Sequence, residues 1–495
     1  MNIYMVENPY KFDVEQTAII LMPERKPRVT ESPAPRARIA EDFAISELKV
    51  GKKSATAKFS LQLDGKFCAE TCISVFKGDE SKQEIETEIR NTLRRSVYKA
   101  YVTLTGNRPA WGALAGVRPT KLARRHMEKG LSADETKKLL VNRYYIRPDK
   151  AEMSVSAAIC AQKLKKNLSE NDAALYVGIP YCPTRCAYCS FISKAAPDAK
   201  TGAVQKYLSV LEQEIAETGE RISEAGVRLQ AVYIGGGTPT VLSPEQLSSL
   251  LCAIKRSFEL AEGCEFTVEA GRPDTITSEK LGAIRENGAN RLSINPQTFS
   301  NRVLKNIGRG HSVDDIYNAF ELVRGIGGFS VNMDLIAGLP GDSFAGFAKS
   351  VKNAIELEPE NITVHTLALK RGSSFAENGF LHMPPETIAE MLSNGADMLA
   401  KAGYEPYYLY RQKYSGGSFE NVGYAKDDQI CRYNVYMMDE LLPVIACGAG
   451  AVTKLTFDRE QNIIRISNPK YPEDYIAKSD EIMESKAKLA AFYAK

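Results

Sequence analysis

"QAVYIGGGTPTVLSPEQLSSLLCAIKRSF", Gln230 to Phe258, reads as one complete β/α unit. An apolar, β-branched run (230 to 234) predicts a strand. A glycine-rich turn comes next, and Ser243, with Pro244 and Glu245 behind it, marks the start of a helix with helical apolar spacing. The same rhythm recurs on either side. Strand-like runs stand at "ALYVGI" (174 to 179), "EFTVE" (265 to 269), "RLSIN" (291 to 295), "SVNMDLI" (330 to 336) and "NITVHTL" (361 to 367). Helix-periodic stretches separate them, one of them opened by Thr277 or Ser278 with Glu279 next in line. Six β/α units in series predict a parallel sheet with right-handed crossovers. Such a sheet is an open (β/α)6 barrel or a doubly wound layer.

The rest of the chain sets the bounds. It has 495 residues, 44% hydrophobic and 25% charged, enough for two or three ordinary cores. A net charge of +3 gives no ground to expect nucleic acid. The first residues, "MNIYMVENPYKFDVEQ", lack the basic and apolar regions of a signal peptide, and no run approaches 18 apolar residues. The expectation is a cytoplasmic protein without a membrane span. In a reducing compartment the ten cysteines are ligands, nucleophiles or buried apolar residues rather than disulfides. Seven are scattered, namely Cys68, Cys72, Cys160, Cys252, Cys264, Cys431 and Cys447, and read mostly as small buried side chains.

Barrel chemistry gathers at the carboxyl ends of the strands, so the residues at the end of each run carry the functional signal. "GIPYCPTRCAYCSF" comes after the first and "GGGTPT" after the second; Glu269 in "VEAGRPDT" ends the third, and the fourth leads to Gln297. Asp334 and "AGLPG" belong to the fifth, and Lys370 and Arg371 come after the sixth. Singly, each has a bland reading: a tight turn for the glycines, helix-capping acids for Glu269 and Asp334. The cysteines differ. Cys182, Cys186 and Cys189, spaced C-x3-C-x2-C, bring three thiolates within reach of one soft metal centre. A structural zinc would want a fourth ligand, and His126, His311, His365 and His382 all lie away from the loop.

With the aromatic Tyr188 before the last thiol, these cysteines resemble the signature of radical S-adenosylmethionine (SAM) proteins. A cubane [4Fe–4S] cluster normally takes four thiolates, so three leave one iron open. In that family the open iron is chelated by SAM, whose reductive cleavage gives a 5′-deoxyadenosyl radical. The ordered set "YVGIPYC…CAYCSF", "GGGTPT", "RLSINPQTF", "LKNIGRGH" and "NMDLIAGLPG" resembles the oxygen-independent coproporphyrinogen III oxidase group, over about residues 175 to 369 with a weaker tail to about 455. The N-terminal region and "GVRPTKLA" look most like its HemZ-type, HemW-related members. The resemblance implies an open (β/α)6 partial barrel. It implies a [4Fe–4S] cluster on Cys182, Cys186 and Cys189, and a SAM site formed by Tyr176, Tyr188, Gly236, Gly237, Thr238, Glu269, Gln297, Arg309 and Asp334.

The chain also departs from its relatives. Coproporphyrinogen oxidases of the group carry another cysteine where this sequence has Phe191, and HemW-like proteins carry an "HN…YW" motif where it reads "CRYNVYM", with Tyr433 for the histidine and Asn434 retained. Asn295 and Pro296 stand where relatives usually have Gly and Val. Two functions stay open. One is anaerobic oxidative decarboxylation of coproporphyrinogen III propionates, with an electron donor such as flavodoxin or ferredoxin. The other is haem binding and trafficking of the HemW kind. Three domains are expected: an α+β region over 1–165, the radical SAM core over 166–375, and a Tyr-rich segment over 376–495 that closes the site. In the first, "ESPAPRA" reads as a loop, "AISELKV" and "TAKFSLQL" as strands, and the chain as helical from about Ser81. Arg118, Lys121, Arg125 and Lys129 fall on one helical face, either a solvated surface or a dock for an anionic partner.

Overall fold

The computed structural model describes residues 1–31, 41–191, 194–196, 202–412, 417–426, 428–456 and 463–494. The chain divides into two compact units, Met1–Val155 and Ser156–Lys495. The loop reading of "ESPAPRA" falls almost wholly outside the described residues.

In the first unit, strands β1 (Asn2–Val6), β2 (Arg28–Thr30), β3 (Phe43–Val50), β4 (Ser54–Leu63) and β5 (Lys66–Val75) form a sheet of order β2-β1-β3-β4-β5. Alternation sends Ala44, Leu48, Phe59 and Leu61 to one face, where they meet Val14 and Ala18 of helix Lys11–Leu21 and Leu93 and Val97 of helix Lys82–Thr105. Ser81 opens the latter helix through a capping box with Glu84, and Gly106, at φ 74°, ends it. Of the basic segment, Lys121 and Arg125 lie in helix Pro119–Glu128, between Arg118 and Lys129.

The second unit is built on one eleven-stranded sheet. Its centre is β6 (Asp172–Ile179), succeeded, after the two-residue pair β7 (Tyr181–Cys182) and β8 (Lys194–Ala195), by β9 (Arg228–Gly236), β10 (Glu259–Glu269), β11 (Arg291–Gln297), β12 (Ser330–Ala337) and β13 (Asn361–Thr366). These six long strands run parallel in sequence order, β6-β9-β10-β11-β12-β13, and the sheet stays open. Crossover helices begin where the sequence marks them: Ser243 makes a capping box with Gln246, and Thr277 caps helix Ser278–Glu286. The core strands have two kinds of face. Val331, Met333 and Leu335 are fully buried, while Asn332, Asp334 and Ile336 alternate with them and face the barrel interior.

The chain beyond residue 375 extends this sheet at both edges. Strand β15 (Glu420–Lys426) adds antiparallel to β13, and β14 (Tyr404–Arg411) adds antiparallel to β15 beyond it. At the far edge β16 (Val444–Cys447) runs parallel to β6, with β17 (Val452–Thr456) and β18 (Ile463–Ser467) beyond it. A buried polar knot ties that edge down. The fully buried Glu214 accepts from Gly448 N (2.8 Å), Asn468 Nδ2 (2.8 Å), Tyr475 Oη (2.5 Å) and Lys486 Nζ (2.5 Å). Among the described residues no helix is long and apolar enough to cross a membrane.

Candidate functional site

At the carboxyl ends of β6 and β9–β13 lies a cavity of about 380 Å³, within the size range of small-molecule sites. Cys182, Cys186 and Cys189 line it together with Tyr188, Gly236, Gly237, Thr238, Glu269, Gln297, Arg309 and Asp334. Residues far apart in sequence reach one space because most lie in the carboxyl-terminal half of a parallel strand or in the segment after it.

The cysteine loop has almost no regular structure of its own and is held by outside groups. A turn closes it locally, Cys189 N donating to Cys186 O at 3.1 Å. Ala187 N donates to Ile307 O (3.0 Å) and Phe375 N to Ala187 O (3.0 Å). Thr238 Oγ1 approaches Cys182 Sγ at 3.5 Å. Gly308, at φ 71°, lies within van der Waals reach of Arg185 O and Ala187 N, and together with the Ala187 N–Ile307 O bond this makes "LKNIGRGH" a buttress for the thiol loop. Burial pushes the Cys189 thiol up to about 11, with Cys186 and Cys182 acting in the same direction. A metal centre binding at Cys189 must therefore displace a proton from that thiol. Among the described residues no three His, Cys, Asp or Glu side chains close on a point as the ligands of a single ion would. All three thiols border the one cavity.

The opposite side of the loop is a polar cradle. Glu269 accepts from Tyr233 Oη (2.5 Å) and Gly236 N (3.2 Å); burial pushes its carboxyl up to about 7. Gly237 N donates to Ile179 O at 2.7 Å. With both glycine amides engaged, the turn has only carbonyl oxygens to offer an ammonium group. Arg309 is held by Gly271 O (2.8 Å), Asn295 O (3.1 Å) and Tyr188 Oη (3.0 Å); burial works against its charge, but Tyr188 and Cys186 outweigh it and the guanidinium lies above its ordinary value. Two buried polar atoms here, Gln297 Oε1 and Arg309 Nε, have no protein partner. Such atoms demand a ligand, because a buried unpaired polar group costs about 1–3 kcal/mol. Gln297 reaches the cavity through a local irregularity. Pro296 has no N–H for the ladder, the β11–β12 register shifts between Ile294 and Gln297, and Gln297 takes φ 66°.

Tyr176 does not line the cavity. It lies behind the glycine turn, its ring stacked on Tyr233 (6.4 Å), which stacks in turn on Tyr433 (4.5 Å). Lys370 stands on the cavity wall and the exposed Arg371 does not. Several wall residues escaped the sequence reading: Tyr233, Arg272, His365 with Nε2 3.5 Å from Asp334 Oδ2, Tyr408 and Tyr410. Their signal was period-two alternation, since Ser293, Asn295 and Gln297, Thr363 and His365, and Tyr408 and Tyr410 are alternate residues of their strands. The segment carrying Asn434 is fixed from below. Glu265 accepts from Arg432 N (2.9 Å) and Tyr433 N (2.9 Å), capping helix Arg432–Asp439 in place of Cys431.

An open parallel sheet with three thiols and a zwitterion-sized polar cradle at its carboxyl edge defines a radical SAM protein, whose cofactors are a [4Fe–4S] cluster and SAM. Residues 176–354 match the radical SAM superfamily. The oxygen-independent coproporphyrinogen-III oxidase-like protein HemZ of Bacillus subtilis is 35% identical over 457 residues, 90% of each chain. The heme chaperone HemW of the same organism is 35% identical over 260 residues, 51% of this chain and 67% of HemW. Among solved structures, coproporphyrinogen III oxidase (HemN) from Escherichia coli shares the fold at a TM-score of 0.50 and 24% identity, over 66% of this chain and 72% of that one. The chain belongs to the radical SAM family of oxygen-independent coproporphyrinogen-III oxidase-like proteins, alongside HemZ.

Proposed function

We propose that the protein is a cytoplasmic radical SAM enzyme of porphyrin or haem biosynthesis that oxidatively decarboxylates propionate side chains of a coproporphyrinogen III-like tetrapyrrole, with a flavodoxin- or ferredoxin-type electron donor. One observation carries the reading: the three thiols share a single cavity with Glu269, Gln297, Arg309 and Asp334. Bound there, the cluster and SAM supply the 5′-deoxyadenosyl radical. In this reading Cys182, Cys186 and Cys189 hold three irons. The carbonyls of Gly236 and Gly237 take the SAM ammonium, Glu269 and Asp334 its hydroxyls, and Tyr188 the adenine face, with Gln297 and Arg309 completing the cradle. Thr238 steadies Cys182, and Tyr176 backs Tyr233. Lys370, on the cavity wall, and Arg371, beside it in sequence, would meet substrate carboxylates.

The test is an anaerobic assay of reconstituted, reduced protein with SAM and coproporphyrinogen III, read by mass spectrometry for decarboxylated product and 5′-deoxyadenosine. Neutralising Lys370 and Arg371 together should abolish substrate-dependent deoxyadenosine yet spare slow uncoupled cleavage. The second reading, a haem carrier, draws on the resemblance to HemW. Stoichiometric haem binding with no porphyrinogen-dependent product would favour it and defeat the first.

A further inference from the structure

The thiol loop needs a shape before any cluster arrives, and Arg272 is placed to give it one. Arg272 is 3% exposed, on the loop after β10. Two of its nitrogens are pinned by its near neighbour Asp274: Nε to Oδ1 at 3.0 Å and Nη2 to Oδ2 at 3.0 Å. This fork aims the third nitrogen, Nη1, out of the pair toward Thr184, whose Oγ1 it meets at 2.9 Å and whose carbonyl oxygen it approaches at 3.4 Å. Thr184 is an exposed residue between the first and second cysteines, so a buried guanidinium reaches out to hold an exposed loop. Arg309 does the same for the other half, through Tyr188 between the second and third. Arg272 also lines the cavity with all three thiols.

We infer that Arg272 is a positioning residue that presets the thiol loop for cluster insertion and, by pairing with Asp274, balances that carboxylate's charge beside the cluster. The inference rests on the cluster assignment to Cys182, Cys186 and Cys189. Its two parts separate chemically. Only a planar fork can bind Asp274 twice and Thr184 at once, whereas lysine would keep the charge without the fork. Loss of the guanidinium leaves the Asp274 carboxylate uncompensated, which disfavours the more negatively charged, reduced state of a nearby cluster and should lower the midpoint potential.

The experiment compares the full-length wild type with Arg272→Gln and Arg272→Lys. In apo protein, hydrogen exchange of residues 183–191 should quicken at least tenfold in both variants, while exchange in β9 and β12 is unchanged. After anaerobic reconstitution, Arg272→Gln should show a more negative cluster potential, measured by spectroscopically monitored redox titration, and Arg272→Lys a potential near wild type. Unchanged loop exchange in both variants overturns the clamp, and equal potentials in Arg272→Gln and wild type overturn the charge role. If wild type takes up no cluster, or Cys186→Ala keeps a full one, the cluster assignment itself has failed and the apo exchange result still judges the clamp.

Discussion

Glu269 offers a test in which one residue produces two pH dependences of opposite sign. Burial pushes its carboxyl up to about 7 in the folded protein, against an ordinary glutamate value of about 4.3. Because the folded state holds this proton more tightly than the unfolded chain, the group's contribution to apo stability is fullest below about pH 4.3. It declines as pH rises through about 7. SAM affinity should run the other way, since the anion is the form that serves the ligand: full near pH 8, and about tenfold weaker at pH 6, where only about a tenth of the carboxyl is charged. Glu269→Gln keeps the shape and removes the charge. Losing a charge-assisted hydrogen bond of about 1.5–3 kcal/mol should weaken SAM binding by about one to two decades and flatten its pH dependence. Equilibrium dialysis of SAM against anaerobically reconstituted protein between pH 6 and 8.5 measures both. A wild-type affinity that does not change across this window, or a Gln variant that binds as wild type, would refute the placement of Glu269 at the cofactor.

Cys186→Ala should lose the cluster's visible absorbance and most bound iron after reconstitution, whereas Cys252→Ala, at an exposed cysteine, should keep both. Lys486→Met strands the fully buried Glu214 carboxylate and should cost about 3–5 kcal/mol by urea unfolding, with part of the loss recovered in Lys486→Met/Glu214→Gln, which removes the charge and keeps an acceptor for Gly448 N, Asn468 and Tyr475. Gly237→Ala drives a Cβ into the backbone oxygens of Ile179 and Tyr181, and should lower reconstituted iron content and the thermal midpoint together.

The parallel core was legible because its signals are local. "ALYVGI" lies within β6, "QAVYI" within β9, and the capping residues Ser243 and Thr277 sit one position before their helices. The thiol loop stood out in the sequence because three cysteines fall within eight residues, and the structure brings all three to one cavity. What stayed hidden depends on contacts between distant segments. Nothing near Val444 announces that it will run beside Ala174, nor near Glu265 that it will cap a helix beginning at Arg432. Tyr176 was placed at the cofactor by resemblance, yet its ring stacks behind the wall on Tyr233, a packing relation that no one-dimensional motif records. Pro296 was visible as a departure, but its consequence, the left-handed Gln297, appears only when the ladder to β12 is drawn.

The cavity has two walls of different origin, and this decides how far a family likeness can reach. The wall facing the cofactor comes from the thiol loop, the glycine turn and the ends of β10 to β12, and these are the segments whose motifs place the chain in its family. The facing wall comes from His365, Tyr408, Tyr410, Asn434 and Met438, supplied by β13 and by the chain beyond residue 375. If the cluster and SAM occupy the first wall, as proposed, a substrate is chosen on the second wall and at the mouth. Here the departures acquire a physical meaning. Tyr433, standing where a HemW-like histidine would be, is 5% exposed, stacks on Tyr233 and supports the wall from behind, so this position offers no nitrogen to a haem iron. Phe191, standing where a coproporphyrinogen oxidase would carry a further thiol, is 68% exposed and lines the cavity, which makes its contact with an incoming ligand apolar. Replacing Phe191 by Cys or Ser should therefore leave cluster content and SAM binding as they are and change only the interaction with the proposed tetrapyrrole substrate. A loss of SAM affinity in those variants would mean that the two walls are not separable in this way.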